Sequence, residues 1–142
     1  MKKYSPVLFP HPYVLLEEEK FDASCTSING LHSDHIWTEP VFTVVFSLES
    51  TEMETLDIVL RGWRPEAAGP VPSDLRILLN GRVLEIAQQQ KTFIRCQVEP
   101  GTLLLEGNIL RLEVTSFVPE QISPGSGDSR QLGLDLEKIV LH

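Results

Sequence analysis

Along most of this chain apolar and polar residues alternate one by one, the spacing of a strand with one buried face, and helical spacing is nearly absent. Between Val41 and Glu49, Phe42, Val44, Phe46 and Leu48 share one face. Between Glu54 and Gly62, Leu56, Ile58 and Leu60 do the same against Asp57 and Arg61. Leu75, Ile77 and Leu79 carry the pattern from Asp74 to Leu79. Asn80-Gly81 follows, a pair that supplies two residues of positive φ to a tight hairpin. Arg82 to Ala87 then reads as the return strand, with Leu84 and Ile86 inward. Thr92 to Val98 sets Ile94, Cys96 and Val98 on one side, and Asn108 to Ser116 sets Leu110, Leu112 and Val114 opposite Arg111, Glu113 and Thr115. The last run, Leu132 to Leu141, begins with Leu132, Leu134 and Leu136 inward and changes phase to Ile139 and Leu141. A β-bulge or a crossing between sheets produces such a slip. Tyr13 to Leu16 and Phe21 to Ile28 read as edge strands, and Thr51 to Glu54 fits one helical turn at most.

Turn-rich loops, Glu66 to Ser73 and Ser123 to Ser129, separate these runs. Seven to nine short strands in 142 residues predict one all-β domain, an antiparallel two-sheet sandwich of jelly-roll-like kind, with residues 1–12 a loosely ordered arm. With 42% hydrophobic residues there is material for a core. Twenty acidic against 12 basic residues give a net charge of -8, which argues against nucleic acid and anionic membranes as partners. No apolar run approaches the ~20 residues that span a bilayer. Lys2 and Lys3 imitate the start of a signal peptide, but prolines and then Glu17, Glu18 and Glu19 break the stretch, so the chain reads as cytosolic. Cys25 and Cys96 are far apart and lack Cys-x-x-Cys partners, which fits buried small hydrophobes.

The densest polar cluster is Gly30-Leu31-His32-Ser33-Asp34-His35-Ile36-Trp37-Thr38-Glu39. His32 and Asp34 have the spacing of a facial-triad iron site, and His32 with His35 could begin a zinc site. The remaining histidines, His11 and His142, are poorly placed to complete either, so neither a metal nor a cofactor is assigned. No catalytic residue is assigned either: Ser126 sits in Pro124-Gly125-Ser126-Gly127-Asp128, which is a loop and not a nucleophile elbow, and no pair among the acids stands out as a glycosidase pair. Trp37 in the polar cluster and Trp63 in Arg61-Gly62-Trp63-Arg64-Pro65 have two readings, a plane that stacks on a sugar ring or a plug at a strand end. Asp128-Ser129-Arg130 also has two. The Asp can tie its own loop while Arg130 forks onto a carboxylate, or the pair can clamp a ligand at a loop mouth. Gly133 permits close backbone approach inside its strand.

Taken together, Gly30-Leu31-His32 with Trp37 beyond it, a hydrophobic strand, the Asn80-Gly81 hairpin, and Asp128-x-Arg130-x-Leu132-Gly133-Leu134 before a final apolar strand resemble a known group. It is a β-sandwich module found beside bacterial glycosyltransferases and other surface-polysaccharide enzymes. That group's first motif reads Gly-Trp-His, then an acid and an Arg-Trp pair, and its last reads Asp-x-Arg-x-Leu-Gly. Here Leu31 stands for the first tryptophan and Ile36 for the arginine before Trp37. The resemblance spans about Gly30 to Leu141 and implies a carbohydrate-binding-like jelly roll with no assigned reaction. The expectation is a non-catalytic accessory module of glycan assembly, with a glycan or a glycan-synthesis enzyme as partner. Its ligand would be held by Trp37, His32, Asp34, Asp128 and Arg130, with Trp63 as a further candidate. The alternatives are a protein-interaction sandwich, docking a partner or a second copy by a sheet face or edge, and a small cupin-like metalloenzyme.

Overall fold

In the computed structural model, which describes residues 12–68 and 74–142, the alternating runs form two antiparallel sheets. The strands are β1 (Tyr13–Glu17), β2 (Lys20–Phe21), β3 (Cys25–Leu31), β4 (Thr38–Phe46), β5 (Thr55–Leu60), β6 (Arg76–Leu79), β7 (Arg82–Val83), β8 (Ile86–Gln89), β9 (Phe93–Gln97), β10 (Asn108–Glu113) and β11 (Leu136–Leu141). One sheet has the order β2-β1-β11-β5-β9-β8 and the other β3-β4-β10-β6-β7. Within them, β1-β11-β5-β9 lies against β4-β10-β6-β7. Every neighbour in that pairing follows two interlocked Greek keys, so the domain is a jelly roll. The arm expected at residues 1–12 falls, apart from Pro12, outside the described residues, as do His11 and residues 69–73 of one expected loop. Among the described residues no helix is long and apolar enough to cross a membrane.

The core is the inner face that the alternation marked out. Phe42, Val44 and Phe46 of β4 meet Leu56, Ile58 and Leu60 of β5, joined by Ile94, Cys96, Leu110 and Leu112. The Asn80-Gly81 turn has positive φ at both residues, 53° and 83°, and pairs Leu79 with Arg82. The phase slip in the last run has both of its expected causes. Leu134 and Thr38 are hydrogen-bonded, and Trp37 bridges Asp135, so this segment first pairs with the lead-in to β4. The chain then crosses to β5 and carries a bulge between Leu136 and Lys138.

Five expectations are corrected. Phe21 to Ile28 is not one edge strand. Glu18 and Glu19, both at positive φ (50° and 68°), turn the chain back so that β2 covers β1, and the Asp22 carboxylate accepts the N–H of Ser24 before β3 begins in the other sheet. Consequently β1 is not an edge either. Arg82 to Ala87 is not one return strand: Leu84 plugs a corner, and β8 belongs to the opposite sheet. Thr51 to Glu54 is not helical; among the described residues the single α-turn, α1, is Pro119–Ile122, opened by a proline where its missing N–H costs nothing. Asp57, assigned to the wet face of β5, is only 5% exposed, because Arg95 grips both its oxygens at 2.7 and 2.8 Å and His142 Nε2 lies 2.8 Å away.

Both motif glycines are places where two backbones touch. A Cβ on Gly30 would lie 2.0 Å from the Val41 carbonyl oxygen, at φ +81°. One on Gly133 would lie 2.5 Å from Thr38 Oγ1 and 2.9 Å from the Glu39 carbonyl oxygen. Gly133→Ala is therefore expected to destabilise by about 2 kcal/mol or more through overpacking, and Gly30→Ala by about 3 kcal/mol or more with the left-handed penalty added. Gly81→Ala, with nothing within 4 Å, should lose only about 1–2 kcal/mol. Urea unfolding midpoints check the order; equal losses at all three sites would contradict it.

Candidate functional site

Strand registers place the motif loops at one end of the sandwich. The 32–37 segment enters β4, Arg61 to Pro65 follows the end of β5, and the 114–135 connection joins β10 to β11. The Asn80-Gly81 turn, the 98–107 loop and a cleft of about 640 Å³ lined by Met53, Glu54, Gln97 and Glu99 lie at the opposite end.

Under the motif loops is a small second core of Trp37, Phe117 and Leu132, with Ile36, Ala68 and Ile122 packed on it. Trp37 is 8% exposed and meets Phe117 edge-on, 5.5 Å between ring centres at 78°. Of its two readings, then, the ring serves as a plug and has no free plane for a sugar. Phe117 and Leu132 exchange both backbone hydrogen bonds, closing the base of the long loop. Arg64 spreads its guanidinium 5.0 Å over the Phe117 ring and donates to the carbonyls of Gly133 and Ala68.

Above that core the two polar motifs meet, although 96 residues separate Asp34 from Arg130. Asp34 Oδ1 accepts the N–H groups of Ile36 and Trp37, a side-chain-closed turn that sets His35 at φ 62°. Its Oδ2 accepts from Arg130 at 3.0 Å. Arg130 also forks onto both oxygens of Asp128, at 2.9 and 2.8 Å, and Asp128 accepts the Arg130 backbone N–H. His32 Nε2–H donates to the Gln131 carbonyl at 2.8 Å, which fixes the tautomer, since a carbonyl only accepts. The loop between is tied by Glu120, whose carboxylate accepts the N–H groups of Gly125 and Gly127. His32, Asp34, Asp128 and Arg130 thus form one cluster, partly open to water.

Electrostatically the cluster is a clamp. Burial pushes the Asp34 carboxyl up, but the Ile36 and Trp37 N–H groups and the Arg130 guanidinium outweigh it and hold it below the usual carboxylate value. Asp128 is lowered to about 2, first by the Arg130 side chain and then by its backbone N–H. General acid–base work between two carboxylates needs one of them protonated near neutral pH. Both of these are pulled the other way. Among the described residues no three His, Cys, Asp or Glu side chains converge as metal ligands.

Trp63 belongs to the adjoining loop and is 54% exposed. Its backbone N–H donates to Asp135 Oδ2 at 2.5 Å, and the Arg61 guanidinium lies 5.1 Å from its ring centre. Asp135 is buried, and desolvation raises its carboxyl despite the N–H groups it accepts. Sequence reasoning missed Asp135 and Arg61, because each reads as an ordinary outward residue of an alternating strand. It also missed Phe117 and Glu120, which carry no local signal.

Trp37→Ala is expected to cost about 3–5 kcal/mol, as an aromatic removed from a packed site does, and Trp63→Ala less than about 1 kcal/mol. Thermal or urea melts of the two variants decide this, and similar losses would refute the assignment. A lowered carboxylate stabilises the fold above its unfolded value near ~4, and that contribution is lost as pH falls through the folded value. The stability deficit of Arg130→Gln should accordingly be full above pH ~4 and shrink toward pH ~2. A deficit constant across that window would rule out the clamp. Compared with known proteins, this chain matches no family model, no curated protein and no solved structure.

Proposed function

We infer that the chain is a non-catalytic, carbohydrate-binding-like accessory module of glycan assembly, with its ligand surface at the motif-bearing end of the jelly roll. The observation that carries this is Trp63: a half-exposed indole on a backbone pinned by a buried carboxylate, backed by Arg61. A rigid aromatic plane loses little entropy when a pyranose ring stacks on it, and polar side chains nearby supply directed hydrogen bonds. Asp34, Asp128 and Arg130, partly exposed at the same end, have lone pairs and N–H groups left for hydroxyls. The likeness of the 30–39 and 128–134 segments to modules beside polysaccharide enzymes points to the same ligand class. In this reading Trp63 takes the stacking role, while Trp37 and the Asp34–Arg130–Asp128 clamp shape the surface around it. A shallow site of this kind binds weakly.

An array of bacterial-type neutral and acidic oligosaccharides, read with the wild-type chain and Trp63→Ala, tests the proposal. Binding to a subset of glycans that falls at least about tenfold in Trp63→Ala is expected, since a stacked ring is worth more than ~1.4 kcal/mol. Glycan binding that survives the substitution unchanged would contradict the site, and an array without any signal would contradict the function.

A further inference from the structure

We propose that Asn29 is a site of spontaneous covalent modification: attack by the Gly30 backbone nitrogen expels its side-chain amide and leaves aspartate or isoaspartate on the edge strand β3. This inference does not depend on the carbohydrate reading. The reaction needs a carboxamide free to turn toward the next backbone nitrogen, and a next residue with no side chain to block the approach. The chain has three asparagines, and two of them, Asn29 and Asn80, precede a glycine. Their sequence context ranks these two together and sets Asn108, followed by the branched Ile109, behind them. The fold separates the pair. Asn80 Nδ2 donates to the Thr102 carbonyl at 2.8 Å and to Asn108 Oδ1 at 2.9 Å, and its Oδ1 accepts the Ile109 N–H at 2.7 Å. With donor and acceptor both engaged, this carboxamide cannot rotate onto Gly81 without breaking all three bonds. Asn108 is fully buried and equally tied, donating to the Leu104 carbonyl at 2.6 Å and accepting the Leu104 N–H at 2.8 Å.

Asn29 has no such restraint. It is exposed, and its side chain donates only to Ser27 Oγ, at 3.1 Å, a bond between two exposed residues of one strand. The strand is itself an edge: β3 pairs with β4 alone, and that register breaks between Asn29 and Leu31, at the glycine. An edge with an interrupted ladder opens locally at low cost, which is all that ring closure requires. The Gly30 nitrogen then bonds to Asn29 Cγ, its proton passes through water to the departing nitrogen, and ammonia leaves. Water opens the resulting succinimide at either carbonyl. Opening at Cγ gives aspartate; opening at the main-chain carbonyl gives isoaspartate, with the backbone lengthened by one carbon. Both products add a negative charge. The lengthening falls at a tight place, since a Cβ on Gly30 would already lie 2.0 Å from the Val41 carbonyl oxygen. It moves Gly30 off β4 and loosens the segment that carries His32 to Gln131 and Asp34 to Arg130.

Ageing of the full chain at mildly alkaline pH and body temperature, followed by peptide mapping and isoaspartyl-methyltransferase labelling, tests this. In the folded chain Asn29 should convert at least about tenfold faster than Asn80, and in guanidinium chloride the two should convert within about threefold of one another. Asn29→Gln, at an exposed position, should abolish the fast release of ammonia, and aged wild-type chain should melt below aged Asn29→Gln. Folded-state conversion of Asn80 as fast as that of Asn29 would overturn the proposal. So would an Asn29 that the fold protects as strongly as Asn80, ammonia release unaffected by Asn29→Gln, or aged wild-type and aged Asn29→Gln chains that melt alike.

Discussion

Where the last strand passes the lead-in to β4, Gly133 lies so close to Thr38 and Glu39 that no side chain fits between them. This contact governs the loop end of the molecule. Because the backbones touch, Thr38 donates its N–H to the Leu134 carbonyl, its own carbonyl accepts the Gly133 N–H, and its Oγ1 accepts the Leu134 N–H. That pairing directs Asp135 inward, where its carboxylate receives the Trp63 N–H, and it brings Leu132 over Trp37 and Phe117. A side chain at position 133 would separate the two segments and release all three consequences together. Close approach of backbone to backbone is a steric condition, and only glycine satisfies it.

The polar cluster above this contact divides the work between covering and presenting. Arg130 has five N–H donors, and its fork and third contact engage two carboxylates from distant segments. Each carboxylate in turn closes its own turn by accepting backbone N–H groups. The result is a surface whose shape is set by charge-assisted hydrogen bonds and not by apolar packing, and it stays hydrated. Both acids are held below the usual carboxylate value, so they stay ionised near neutral pH and keep accepting the hydrogen bonds that fix the two turns.

The two ends of the jelly roll use unlike means to display an aromatic or aliphatic side chain in water. Trp63 is held by one buried carboxylate and a guanidinium stacked beneath it. Leu104 and Leu105 are held by a pair of asparagines whose amides match backbone donors and acceptors at once. In both cases a buried polar side chain fixes the backbone that carries the exposed residue, so little of that backbone is left to order on contact.

Period-two alternation was enough, without any structure, to mark the core faces of β4, β5, β9 and β10, because a strand's side chains must alternate whatever it pairs with. The Asn80-Gly81 turn and the slip before Ile139 were legible for the same local reason, since each is a backbone requirement written in neighbouring residues. Local pattern failed where the cause lay elsewhere in the chain. Glu18 and Glu19 carry no turn signal and adopt positive φ only because β2 pairs back on β1. Asp57 reads as a wet residue until Arg95 and His142 arrive to cover it. The two tryptophans illustrate the limit best: both stand in polar, arginine- or acid-flanked loops, and nothing near either one distinguishes them. Burial of Trp37 and exposure of Trp63 were decided by Phe117 and Asp135, residues distant in sequence, since burial is a property of what packs against a side chain and not of the side chain itself.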